Sequence, residues 1–402
     1  MTEFVKIGIV FVITLFLTFK RVALWISLLV GTFLLGILFH LSLQTILLDL
    51  LNATLDQRTL LLVGALFVVL LFSNLLKETG RMNAILQGFR SVFRDLRIVI
   101  AVIPAIIGFM PIVGGALVSA PMVVEASDEL KLSPERRTFI NYWFRHLWEY
   151  ILPYPAFMLA ITMLGLSVRT FAWFNFPLSL AAIFSGIFVG FWGISKSHEG
   201  EGPSNTSSGW TLFLNLFPLV VALTLALAFK VELFYAFGLT ILAMIILYRV
   251  ESRLVFQAFR SSLSPDLFLT VFAVMGFKKV LESSNAIPAI STFLSSSGIP
   301  FWLIAILIPF AVGVISGMTV APIGISFPIL IPLFQKDPNF QAYMVLAFAS
   351  GIGGDLLSPF HLCLVLTKDY FRADLKGVYR LLWFPVACIL FVGMLMTFFL
   401  HR

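Results

Sequence analysis

Charge is scarce in this 402-residue sequence: Asp, Glu, Lys and Arg together make up 12% of it, about half the share of a soluble domain. That scarcity excludes a soluble enzyme and a disordered chain. Cysteine is nearly absent, with two residues, which excludes a disulfide scaffold. The G-x-x-x-x-G-K-[ST] loop that cradles nucleotide phosphates is missing, and with it ATP-driven work by this chain alone. His-Glu-x-x-His is missing too, and no metal site is expected. A small-residue cleavage site is lacking after the first apolar run, Phe4 to Phe19, which ends at Lys20-Arg21; no cleavable signal peptide is expected.

What fills the sequence instead is apolar. Hydrophobic residues make up 60%, aromatics 15%, and Phe alone occurs 43 times; the mean hydropathy is +1.02. Apolar runs of about 20 residues recur along the whole length, which is the signature of an all-α polytopic membrane protein with the lipid bilayer as its first partner. The net charge of +7 fits basic cytoplasmic loops rather than nucleic-acid binding. Cys363 and Cys388 lie in apolar stretches and read as small core residues.

Ten spans are expected, at 4–19, 22–39, 59–76, 139–167, 177–194, 210–229, 231–248, 266–281, 341–367 and 380–400. Two further apolar stretches, 98–123 and 301–334, are interrupted by Pro and Gly at their middles and read as re-entrant hairpins, since non-helical backbone at membrane depth is tolerated only where protein or water surrounds it. With the N-terminus outside, eighteen of the 27 Lys and Arg residues fall inside and eight outside. This bias supports that topology, with both broken stretches turning back. The segment Lys77 to Arg97, basic with interleaved apolar residues, reads either as a helix along the inner membrane surface or as an ordinary loop helix.

The two halves resemble each other. Phe72-x3-Leu76 aligns with Phe277-x3-Leu281, Ala84-Ile85 with Ala289-Ile290, and Ile103-Pro104-x3-Gly108 with Ile308-Pro309-x3-Gly313, each at an offset of 205; Glu149-x3-Pro153 aligns with Asp355-x3-Pro359 at 206. Residues 1–195 then form one repeat of five spans and a hairpin, 196–209 (within the polar segment SKSHEGEGPSNTSSG, Ser195 to Gly209) a cytoplasmic linker, and 210–402 a second repeat. Five spans is an odd number, so the second repeat enters the membrane inverted. Inverted repeats place transporter sites near the midplane, where broken helices meet.

Four segments carry candidate chemistry. The first hairpin centre holds Gly114, Gly115 and Ser119 between Pro111 and Pro121; the second holds Ser316, Gly317 and Thr319 before Pro322. Freed carbonyls and hydroxyls there can coordinate Na⁺, and freed N–H groups can hold a carboxylate; the competing reading is a kinked helix packed through small residues. In the third segment, Asn141, Arg145 and Glu149 are spaced to share one helix face, with His146 between them and Pro153 and Pro155 beyond. Charges inside a span face the interior and have partners; Arg145 either attracts an anion or pairs with Glu149. The fourth, Ser350 to His361, sets Gly351, Gly353 and Gly354 before Asp355, then Ser358-Pro359-Phe360-His361. It reads as an unwound segment with Asp355 facing Arg145 and His361 available as a proton relay.

Rival classes fare worse. Gly351-Ile352-Gly353-Gly354-Asp355 departs from the Gly-x-Gly-Asp of intramembrane aspartyl proteases, and Gly313-Val314-Ile315-Ser316-Gly317 misses the Gly-x-Ser-Gly of rhomboid proteases. An intramembrane hydrolase is the alternative of another class, but enzymatic activity is not expected. No ring of repeated filter residues suggests a channel.

Asn141-Tyr142-Trp143-Phe144-Arg145-His146-x2-Glu149, Ser358-Pro359-x-His361-Leu362-Cys363-Leu364 and the stretch Pro111 to Pro121 resemble the prokaryotic membrane proteins of the domain-of-unknown-function family 401, through nearly all of the chain. That family stands within the ion-transporter superfamily, beside gluconate, citrate, dicarboxylate and arsenite carriers. The resemblance implies paired hairpins and paired broken helices around a central site, elevator-type movement, a homodimer, and a multi-pass place in the prokaryotic inner membrane. The dicarboxylate carriers differ in carrying Ser-Asn-Thr at their hairpin tips.

The expectation is a secondary transporter of a small organic anion coupled to Na⁺ or H⁺, with no cofactor beyond Na⁺ as coupling ion. Asn141, Arg145, Gly114, Gly115, Ser119, Ser316, Gly317, Thr319 and Ser358 would bind the anion. Glu149, Asp355, His146, His361, Gly353 and Gly354 would serve the coupling ion or proton. The runner-up is a Na⁺/H⁺ antiporter in which Arg145 is structural.

Overall fold

The computed structural model describes residues 3–92, 95–108, 115–128, 130–195, 206–286 and 298–399. The first part of the chain runs α1 (Glu3–Phe19), α2 (Leu24–Leu38), α3 (Leu43–Leu55), α4 (Gln57–Glu78), α5 (Arg81–Val92), α6 (Leu96–Gly108), α7 (Gly115–Asp128), α8 (Pro134–Trp143), a 3-10 segment (Phe144–Tyr150), α9 (Pro155–Leu164) and α10 (Val168–Phe191). The second part runs α11 (Thr206–Leu227), α12 (Leu233–Leu247), α13 (Ser252–Ser262), α14 (Pro265–Ser283), α15 (Phe301–Ser316), α16 (Val320–Phe334), α17 (Phe340–Leu356), α18 (Leu362–Phe371) and α19 (Leu375–Phe399). The fold is all-helical, as expected of a polytopic membrane protein.

Local chemistry sets many of the boundaries. Ser42, Asp56, Ser133 and Ser167 each accept a backbone N–H with the side chain at a helix start, which satisfies donors a helix leaves open. Inside the helices, hydroxyls donate back to the carbonyl four residues earlier, as in Thr14 to Val10, Thr32 to Leu28 and Ser350 to Leu346. An apolar surround offers them no water, so the helix itself supplies the acceptor.

Among the described residues, four helical stretches are long and apolar enough to cross a membrane: α4, the composite Pro134–Leu164, α10 and α19. Several other apolar helices are shorter. α6 and α7 have 13 and 14 residues, or roughly 20 Å each at 1.5 Å per residue, against a hydrocarbon core of about 30 Å.

Two expectations shift and a third gains detail. α3 and α13 occupy stretches that carry no expected span; α3 is short and keeps Leu43, Leu47, Leu51 and Leu55 exposed. Of the expected linker, 206–209 already belong to α11, and 196–205 lie outside the described residues. The basic segment after Lys77 contains the helix α5, whose Arg81 donates to Asn215 at 2.9 Å and stacks over Tyr248 at 3.5 Å.

The helices pack in two groups. α1–α5 contact α11–α14, with α2 and α3 against α14, α4 against α12 and α13, and α5 against α11. The second group joins α6–α10 to α15–α19, with α15 against α17, α10 and α17 against α19, and α18 against α7 and α8. Each part of the chain thus contributes to both groups. The candidate residues all lie in the second group, apart from those outside the description.

Candidate functional site

The helix entered at Pro134 changes pitch at Phe144. From Phe144 to Tyr150 it winds as a 3-10 helix, with 3.0 residues per turn in place of 3.6. Four residues then advance about 120° beyond a full turn rather than about 40°. Arg145 and Glu149 therefore do not share the single face that α-helical spacing predicts. Both remain buried, each at 6% exposure.

The facing element corrects a second expectation. α17 is continuous through Gly351, Gly353 and Gly354, and the chain leaves the helix only after Leu356. The break follows Asp355 instead of preceding it. The glycines serve packing: a methyl group on Gly354 would strike the Phe310 carbonyl, and one on Gly313 would strike the Gly351 carbonyl. α15 and α17 thus meet backbone to backbone. Gly353 faces Val386 of α19, and its carbonyl accepts the Leu357 N–H at 3.2 Å.

Ser358 and Ser316 also turn out to be engaged. Ser358 Oγ donates to the Val314 carbonyl at 2.7 Å and accepts the Phe360 N–H at 3.2 Å. Ser316 Oγ accepts the Met318 N–H at 3.3 Å. Gly317 takes a left-handed conformation, φ 63°, and sits so close to the Phe360 and His361 backbone that a Cβ would lie 2.7 Å from Phe360 C. The turn between α15 and α16 is thereby clamped on the break between α17 and α18. Thr319 is half-buried with no capping bond. Gly115 opens α7, and Gly114 lies outside the described residues.

Asn141 joins three elements. Its Nδ2 donates to the Ala116 carbonyl of α7 at 3.0 Å and approaches Thr367 Oγ1 of α18 at 3.4 Å, while its buried Oδ1 has no partner. Ser119 is buried on α7 and donates to the same Ala116 carbonyl at 3.2 Å.

Around this clamp the structure gathers the titratable side chains. Asp355 is fully buried, and its Oδ2 lies 2.8 Å from His361 Nδ1. The approach is an ion-pair contact without hydrogen-bond alignment; the aligned acceptor for His361 Nδ1 is the Asp355 carbonyl at 3.3 Å. Both carboxylate oxygens of Asp355, and Oε2 of Glu149, are buried with no hydrogen-bond partner. The side chain that contacts the Asp355 carboxylate is thus His361, where the sequence predicts Arg145. His146 Nδ1 contacts the Tyr142 carbonyl at 2.6 Å. The His146 and His361 rings stand 4.9 Å apart and nearly perpendicular, and Tyr142 packs edge-on against both. Tyr142 OH donates to the Leu356 carbonyl at 3.1 Å, at the break.

Sequence reasoning misses three members: Tyr142, Thr367 and Cys363. Cys363 packs against the hydrophobic core, as expected, and also stands beside the two imidazoles; the potential ligand atoms of His146, His361 and Cys363 all lie within 4.8 Å of one another. The His361-x-Cys363 spacing in the sequence is the signal that points to it. The first part of the chain supplies Asn141, Tyr142, His146 and Glu149, and the second Asp355, His361, Cys363 and Thr367. Buried acids with spare acceptors can hold a proton or a cation, and the Arg145 guanidinium supplies positive charge in the same segment.

The architecture has known counterparts. A family model described as "Protein of unknown function (DUF401)" matches residues 4–399. No curated protein matches the chain in sequence. Among solved structures, the crystal structure of the Alcanivorax borkumensis YdaH transporter is similar in fold, with a TM-score of 0.61 at 12% identity over 87% of each chain.

Proposed function

Since the chain belongs to the DUF401 family, and since its buried acids sit where elements of both chain halves meet, we propose that it is a secondary active transporter. Its substrate is a small organic anion, coupled to H⁺ or Na⁺. The observation that carries the reading is the pair of buried acids, Glu149 and Asp355, of which Glu149 Oε2 and Asp355 Oδ1 are buried without a partner. Buried charge of this kind is costly in an apolar protein, and groups retained at such cost mark ion and proton pathways.

The halves support the reading. α6 with α7 and α15 with α16 are short paired helices at corresponding places, and the breaks at 144–154 and 357–361 also correspond. Two inverted repeats, each with one re-entrant hairpin, account for this order, and the N-terminus is then outside. The group α6–α10 with α15–α19 moves against α1–α5 with α11–α14 in an elevator-type cycle, carrying the site between the two faces of the membrane. The likeness to a transporter fold supports this arrangement. Arg145 holds the anion, and Asp355, His361 and Glu149 hold the coupling ion or proton.

The test is uptake of a panel of small carboxylates into proteoliposomes under imposed pH and Na⁺ gradients. Arg145→Gln abolishes uptake while the protein remains folded, and Asp355→Asn abolishes the response to the gradient. Wild-type uptake by Asp355→Asn under every gradient overturns the assignment. The Asp355–His361 contact, which needs no anion, favours a second reading, a Na⁺/H⁺ antiporter. In that case Arg145→Gln leaves Na⁺-dependent proton flux intact.

A further inference from the structure

The three side chains His146, His361 and Cys363 come from two separate parts of the chain: the 3-10 segment, and the turn that leads from α17 into α18. Their ligand atoms nevertheless lie within 4.8 Å of one another. Around a tetrahedral Zn²⁺, nitrogen at about 2.0 Å and sulfur at about 2.3 Å stand roughly 3.5 Å apart. The triangle is a slightly opened version of that set.

The surroundings match a metal site beyond its ligands. A ring nitrogen that faces an oxygen acceptor must carry the proton. His146 Nδ1 faces the Tyr142 carbonyl at 2.6 Å, and His361 Nδ1 faces both the Asp355 carbonyl and its carboxylate. In each neutral ring this leaves Nε2 with the lone pair, and the contact at Nδ1 fixes the ring's orientation. Metal-bound histidines are held in this way, often by a carboxylate.

The independent observation is the buried, unpartnered Oε2 of Glu149. Glu149 follows His146 by one 3-10 turn, and residues three apart eclipse in such a turn, so both project to the same side of the segment. Its carboxylate lies outside the triangle itself and would reach the ion by turning its side chain inward.

We propose that His146, His361 and Cys363, with Glu149 as fourth ligand, form a binding site for a borderline-soft divalent cation of the Zn²⁺ class. Thiolate and imidazole select such ions over Mg²⁺ and Ca²⁺, which prefer all-oxygen shells. The site goes beyond the transport reading and stands whether or not the chain carries an anion. Because its ligands come from both halves of the chain, a bound ion joins them.

The test uses purified full-length protein in detergent, stripped of metal, and reads binding alone. Cys363 and Cys388 are the two cysteines, so alkylation of each is followed by peptide mass spectrometry. Zn²⁺ at ten times its dissociation constant slows alkylation of Cys363 about tenfold by mass action, leaves Cys388 unchanged, and is not replaced by Mg²⁺ or Ca²⁺. Cd²⁺ gives the ultraviolet charge-transfer band of a metal–thiolate bond in the wild type and in Cys388→Ser, and none in Cys363→Ser. Glu149→Gln needs at least about tenfold more Zn²⁺ for the same protection, and an unchanged requirement removes Glu149 from the ligand set. Equal protection of both cysteines, no protection of Cys363, or a Cd²⁺ band that survives Cys363→Ser overturns the proposal.

Discussion

At the scale of single residues, neighbouring glycines in α17 have different jobs, and substitution separates them. Gly354→Ala drives a methyl group into the Phe310 carbonyl, which is backbone and cannot turn aside. Gly353→Ala meets Val386 Cγ1 at 3.1 Å, a side-chain atom that can yield. Gly354→Ala is expected to lose several kcal/mol or fail to fold, and Gly353→Ala to stay within about 1 kcal/mol of wild type; thermal unfolding in detergent distinguishes them. Ser358→Ala removes a buried hydroxyl that ties the break to Val314, and is expected to cost about 1–3 kcal/mol by the same measurement. Several candidate residues are legible in the sequence because charge in an apolar run has few explanations: Arg145, Glu149, Asp355 and His361 are all buried as expected. Cys363 is legible only through its spacing from His361, because a thiol in an apolar stretch otherwise looks the same whether it packs in a core or lines a polar cluster.

At the scale of elements, Asn141 acts as a rivet between α7, α8 and α18. Asn141→Ala is expected to speed amide hydrogen exchange in α7 and α18 while leaving α10 at its wild-type rate, since the lost bonds belong to the first two. The apolar helices follow from their runs, as α2, α4 and α12 illustrate, and the Pro and Gly interruptions foretell that the two hairpin regions divide into paired helices. The pitch change at Phe144 is hidden, because an α-helix and a 3-10 helix accept the same residues over one or two turns. The position of the break after Asp355 is hidden too: glycines that permit unwinding also permit close packing, and only the presence of α15 decides between them. α3 and α13 escape notice because they are short and amphipathic, beside runs that are longer and wholly apolar.

At the scale of the whole molecule, the tryptophans divide by exposure. Trp173, Trp192, Trp210 and Trp383 are exposed at 58–74%, whereas Trp143 is 2% exposed and donates to the Ala182 carbonyl. Indole rings prefer the zone where apolar chains meet headgroups. In vesicles of brominated lipid, fluorescence quenching is expected to fall substantially when the four exposed tryptophans are changed to Phe, and to be little altered by Trp143→Phe. The backbone contact between α15 and α17 also bears on how such a body can change shape. A contact between side chains can be remade by turning rotamers, but one in which glycine lies on carbonyl has nothing to turn. α15 and α17 therefore travel as one spine, and any rearrangement must be taken up at faces where longer side chains interleave. Their seam fixes a reference frame against which all other displacements in the protein can be measured.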